Sequence, residues 1–262
     1  MAQAKTTNSK PAGLSAGLVI LIAVILCNLL FYLFFGKQLD ENGHPTNFMG
    51  LIYKGGWVVP FLLATFLTCI IFTIERLLTI SKAKGTGSID AFLKNIKTKL
   101  SSNDINGAID ACNKQKGSVA NVVQAGLHKY AEMEKNTELE GEKKILAIQQ
   151  EIEESTSLEL PALEKNMWIL ATIASVGTLL ALFGTVLGMI RAFAALAGAG
   201  GTDPEALAVG ISEALINTAI GIITSAIAIV SYNLCTNMID KLTYGIDEMG
   251  YSITQTFASR KH

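Results

Sequence analysis

Charge is scarce in this sequence. Only 16% of its 262 residues are Asp, Glu, Lys or Arg, half are apolar, and the mean hydropathy is +0.40. A soluble domain carries roughly 25% charged residues, so the deficit argues against a soluble enzyme and points to a membrane. No sign of charge is in excess either. The net charge is -1, which leaves no basic surface for a nucleic acid. Cysteine is sparse and scattered: Cys27, Cys69, Cys112 and Cys235 suit neither a disulfide framework nor a thiolate metal site. The histidines, His44, His128 and His262, lie far apart and form no ligand cluster. The sequence has no G-x-S-x-G, no P-loop and no H-E-x-x-H. No metal, cofactor or catalytic residue is therefore expected.

What the chain does have is long apolar runs. A helix needs about 20 mostly apolar residues to cross a bilayer, and four stretches meet that length: Leu14 to Phe35, Gly55 to Ile74, Trp168 to Ile190, and Ala206 to Tyr232. The first is too long for the apolar core of a signal peptide and no A-x-A site follows it, so it reads as a retained anchor. Lys and Arg set the orientation. Ser81–Asn166 carries twelve lysines with Arg76 just before it, whereas the Ala- and Gly-rich loop Ala194–Glu205 carries none and so is no phosphate cradle. Both termini and the 81–166 region are thus expected in the cytoplasm. The resulting plan is a tail over 1–12, a span over 13–36, a periplasmic loop over 37–54, a span over 55–75, a cytoplasmic helical region over 76–166, a span over 167–193, a periplasmic loop over 194–205, a span over 206–233 and a cytoplasmic C-terminal segment over 234–262. The fold class expected is all-α, a polytopic membrane protein.

The cytoplasmic region balances its twelve lysines with thirteen acids and should be folded. Ile89, Phe92, Leu93, Ile96 and Leu100 recur at helical spacing. Asp104 is placed to cap a short helix that includes Ile109 and Ala111. Val119, Val122, Val123, Leu127 and Tyr130 mark another helix. A long helix is expected to begin near Leu139 and run into the third span, kinked at Pro161. Glu75-Arg76 reads as an interfacial pair ending the second span.

The last two spans differ from the first two. Ala171, Ala174, Thr178, Ala181, Thr185, Gly188 and Ala192 alternate spacings of three and four, which lays small or hydroxyl side chains along one helical stripe. Gly210, Ala214, Asn217, Gly221, Thr224, Ala228 and Ser231 repeat the device, and Thr218 and Ser225 widen it. Close helix packing accounts for small residues. The polar members Thr185, Asn217, Thr218 and Thr224 point further, to a face that sees water or a polar partner. Glu213 is the sharpest residue. It lies about 7 residues into its span, about 10 Å deep at 1.5 Å per residue, where a carboxylate costs on the order of 2.5–3.5 kcal/mol. It reads either as part of an ion path or as an interfacial or structural partner of Arg191, which can itself snorkel to the outer interface.

Leu182–Ile190, Ile211–Gly221 and Asp104–Leu127 together resemble the MotA/TolQ/ExbB proton-channel family, ExbB and TolQ most. Leu182–Ile190 is similar to the family's G-T-V-x-G-[MI] helix signature. Ile211–Gly221 is similar to its E-A-L-x-x-T-A-x-G signature. Asp104 to Leu127, with Cys112, resembles its cytoplasmic pattern. The likeness extends over roughly residues 50–250, with Thr178 where many members have proline and Ala181 where a glycine is common. The resemblance implies a three-helix core to which this chain adds an N-terminal span. It implies a homo-oligomer, a pentamer, in the bacterial inner membrane. It implies partners: a single-span ExbD/TolR-like subunit with a membrane aspartate, and a TonB/TolA-like protein that is energised across the envelope. The family's pore threonines map onto Thr185 and Thr218 and its glutamate onto Glu213. The polar stripe adds Asn217, Thr178 and Thr224 as candidate proton-path residues. A MotA-type flagellar stator fits less well, because its larger charged cytoplasmic domain is missing. A structural membrane protein whose stripes only pack helices is the alternative; a solute carrier would show inverted repeats, and none is visible.

Overall fold

The computed structural model describes residues 15–39, 46–197 and 203–260. The expected tail over 1–12, parts of both periplasmic loops, His44 and His262 lie outside them. Among the described residues every regular element is helical: α1 (Ala16–Leu33), α2 (Phe48–Tyr53), α3 (Val59–Ala83), α4 (Ile89–Ser101), α5 (Ile105–Gln115), α6 (Ser118–Lys135), α7 (Gly141–Glu164), α8 (Met167–Ala197) and α9 (Pro204–Ser259), with one 3-10 turn at Phe35–Gln38. Four described stretches are long and apolar enough to cross a membrane, within Ala16–Gln38, Val59–Ala83, Gly141–Ala197 and Pro204–Ser259. The chain is an all-α membrane protein.

The chain divides into two compact units. The described residues of Met1–Ile71 and Thr172–Ile227 form the first. Here α1 is apolar on nearly every side, and its Asn28 donates back to Val24 O at 2.9 Å. It buries Ala23, Cys27 and Phe31, four residues apart, and Phe31 stacks on Tyr53 with ring centroids 4.9 Å apart. Asn47 caps α2 by accepting from Gly50 N at 3.0 Å. Pro60 sits in the first turn of α3, where its missing N–H is no loss. Val58 and Leu62 pack on Ala181, with Leu180, Leu187 and Ile220 around them. Asp203 caps α9, its carboxylate accepting from Glu205 N and Ala206 N at 3.1 and 3.0 Å. Leu179, Leu182, Val186, Ile190, Leu215, Ile222 and Ile223 are left exposed. So much outward apolar surface suits hydrocarbon or neighbouring helices rather than water.

The residues of Phe72–Ala171 and those described from Ala228 onward form the second unit. Its core joins Ile80, Ile96, Leu100, Leu127, Tyr130, Ile148, Ile246, Met249 and Ile253. The periodic residues of α4 and α6 take their expected places, with Phe92, Leu93, Ile96, Leu100, Val119, Val122, Val123, Leu127 and Tyr130 all buried. Asp104 does cap α5, accepting from Gly107 N at 2.8 Å. The buried face of α5 is Ile105, Ala108 and Cys112, with Ile109 and Ala111 at its margin. Burial pushes the Cys112 thiol up to about 12.

Two expectations fail in this unit. The long helix does not run unbroken into α8. It passes through Pro161 and breaks one turn later at Asn166, whose φ is +64°. Asparagine tolerates the left-handed region, so the chain turns there. Nor does Glu75-Arg76 end its helix. α3 continues to Ala83 because Ile80, further along, enters the core. Arg76 is buried at 1% exposure; it pairs with Glu75 and donates from Nη1 to Leu163 O at 3.4 Å.

Candidate functional site

The site lies in the first unit, where α8 and α9 pack through their small-residue stripes. A Cβ added to Gly188 would lie 2.7 Å from Ala214 N and from Gly210 O. One added to Gly210 would lie 2.7 Å from Ala192 N and 2.8 Å from Gly188 O. Backbone therefore meets backbone, and only glycine permits it. Ala181, Ala192 and Ala214 are buried along the same seam.

The seam carries a pair of hydroxyls. Thr185 Oγ1 and Thr218 Oγ1 are 2.5 Å apart. Thr185 Oγ1 is also 2.9 Å from Ala181 O, and Thr218 Oγ1 is 3.0 Å from Ala214 O. Each hydroxyl has a single hydrogen but can accept as well. One threonine can donate across to the other while that one donates to its own helix, and the roles can exchange. Both side chains are half-buried, so the pair keeps a side open to a further group.

The other candidate residues divide. Thr178 is exposed and donates to Ser225 Oγ at 2.9 Å. Thr224 is fully buried and donates to Ile220 O of its own helix at 2.7 Å. Asn217 is fully buried. Its Nδ2 donates to Gly55 O and to Glu213 O, both at 3.0 Å, and its Oδ1 has no partner. Within one chain Asn217 and Thr224 thus do not open onto a free polar face, as the stripe led one to expect. Glu213 is 2% exposed, and Arg191 Nη1 lies 2.7 and 2.6 Å from its two oxygens. Arg191 is therefore turned to a partner rather than only snorkelling. Gly56, with φ +81°, backs this pair so closely that a Cβ would overlap the Glu213 carboxylate. Gly55 and Gly56 open the second expected span, and that Gly-Gly step was the available signal for the close approach.

Fold and site together define a multi-spanning α-helical membrane protein built on a close-packed pair of spans that carries hydroxyls and a buried carboxylate paired with an exposed arginine. Residues 114–248, more than half of the 262, match the MotA/TolQ/ExbB proton channel family. The chain belongs to that family. It is 47% identical over 75 residues to the Tol-Pal system protein TolQ of Haemophilus influenzae, a match covering 29% of this chain and 33% of that protein. It is 30% identical over 115 residues to the TolQ of Pseudomonas aeruginosa, covering 44% of this chain and 50% of that one. It is 25% identical over 231 residues to the biopolymer transport protein ExbB of Neisseria gonorrhoeae, covering 86% of this chain and 98% of that protein. The chain spans only 33% and 50% of the length of the two TolQ relatives.

Proposed function

We propose that this chain is the ring-forming subunit of a proton-driven motor in the bacterial inner membrane. Copies of it assemble, as a pentamer on the resemblance, with the spans of α8 and α9 towards a central path. A single-span ExbD/TolR-like subunit brings a membrane aspartate to that path. Proton passage there drives a TonB/TolA-like protein that energises transport at the outer membrane. Both termini and the helical region over 76–166 face the cytoplasm, in keeping with the lysine bias. The observation that carries this reading is the half-buried Thr185–Thr218 pair. Two adjacent hydroxyls can solvate a carboxylate in either charge state, which a proton-handing site needs. Glu213, Asn217, Thr178 and Thr224 belong to its surroundings in this reading.

The alternative is a scaffold in which the stripes only pack, and the Gly188–Gly210 contact favours it as far as the small residues go. Thr185→Val and Thr218→Val separate the two. The motor reading expects both variants to assemble with their partner and to lose proton uptake in reconstituted vesicles. Full uptake in both variants, or none in the wild-type complex, favours the scaffold.

A further inference from the structure

Arg191 and Glu213 meet from different helices beside the glycine pair that precedes α3. One guanidinium nitrogen, Nη1, serves both carboxylate oxygens, at 2.7 and 2.6 Å. A Cβ on Gly56 would overlap Glu213 Oε1, so the carboxylate fills the space that a side chain at this left-handed residue, φ +81°, would take. One turn along α9, Asn217 ties Glu213 O to Gly55 O. The Glu213 backbone is thus tied by Asn217 and its carboxylate by Arg191, and the residue is only 2% exposed. Arg191 differs: its side chain is 52% exposed. Both residues border a cavity of about 420 Å³ whose other walls include Asp203 and Glu205.

We infer that Arg191 is the positioning residue for Glu213, and that Glu213 is a fixed countercharge of the proton path rather than a proton carrier. The inference rests on the proton-path reading above and refines it. A carrier must take a proton on one oxygen and then turn to release it. Here both oxygens are engaged by Arg191, at 2.7 and 2.6 Å, and the carboxylate lies where a side chain on Gly56 would be. Arg191 is what makes this burial tolerable, because a buried carboxylate without its partner is strongly unfavourable. The contact through one nitrogen has a further consequence. An ammonium can supply the same bridge, so lysine at position 191 keeps the function that an uncharged side chain loses.

The test is modification of Glu213 by a hydrophobic carbodiimide, which reacts with protonated carboxyls reachable from the bilayer. The full-length protein in nanodiscs is treated and the Glu213 peptide is read by mass spectrometry. Wild type and Arg191→Lys should stay unmodified, and Arg191→Gln should be modified several-fold more. Modification of the wild type at the Arg191→Gln rate, or no rise in Arg191→Gln, overturns the inference. Should Arg191→Gln fail to fold, the other two proteins decide: protection in both supports the inference, and modification in either overturns it. The readout needs no proton flux. Protection in a complex that conducts nothing sinks the motor reading alone, and modification in a conducting complex sinks the positioning role alone.

Discussion

Gly188 and Gly210 lie so close across the α8–α9 seam that a methyl group on either would sit 2.7 Å from a backbone atom of the facing helix. Backbone cannot swing aside as a side chain can, so the helices must separate to admit it. Gly188→Ala is expected to cost about 1–3 kcal/mol, the usual range for overpacking. Gly17→Ala is the control, since nothing lies within 4 Å of its added Cβ. Thermal unfolding in one detergent should show a clear loss for the first and none for the second. Equal behaviour would mean that the seam is looser than its glycines indicate.

The α5 cap has a pH signature. The Lys99 side chain, then the Gly107 N–H, hold the Asp104 carboxyl below its ordinary value of 3.8. A carboxyl lowered on folding stabilises the fold above its unfolded pKa, and that contribution disappears as pH falls through the lower folded value. Asp104→Asn can still cap but loses the charge. The variant should therefore be less stable than wild type at neutral pH, with the gap closing as the pH drops below about 4. Unfolding midpoints measured across that range decide the point; a gap that widens in acid contradicts the assignment.

How much of this was legible beforehand depends on distance along the chain. The spans are runs of neighbours, and the seam is a spacing of three and four, so both can be read from the sequence. Thr185 falls on one stripe and Thr218 at the edge of the other, and the fold brings them together. The Arg191–Glu213 pair depends on how α8 and α9 are rotated about each other, which no local pattern states, and it was visible only as one of two alternatives for Glu213. Gly56 acts through its positive φ, a property of the turn rather than of any motif. In the second unit the loudest local signals misled. The Glu75-Arg76 charges look like a helix end, yet the helix runs on and buries an arginine that finds a carboxylate and a carbonyl. The true break, Asn166, has no comparable mark.

Cys112 gives a test of the second unit's core. Its thiol is 1% exposed and pushed up to about 12 by burial, so both access and thiolate are lacking at neutral pH. A maleimide should leave Cys112 unmodified in the folded protein and label it once denaturant is added. Labelling of the native protein at the rate of a free thiol would show that α5 opens readily.

Glu75 and Arg76 are neighbours with unequal exposure, 40% and 2% for their side chains. The consequence is an asymmetry between two substitutions that break the same pair. Glu75→Gln removes the countercharge of a guanidinium that cannot reach water, and leaving a buried charge uncompensated costs on the order of 3–5 kcal/mol. Arg76→Met keeps most of the buried stem and leaves a carboxylate that can still be solvated, so it should cost less. The double variant removes the stranded charge and should be more stable than Glu75→Gln alone. Thermal unfolding of the three proteins in one detergent reads the order directly. If Arg76→Met proves the more damaging single change, the donation to Leu163 O, rather than the charge balance, holds this joint together.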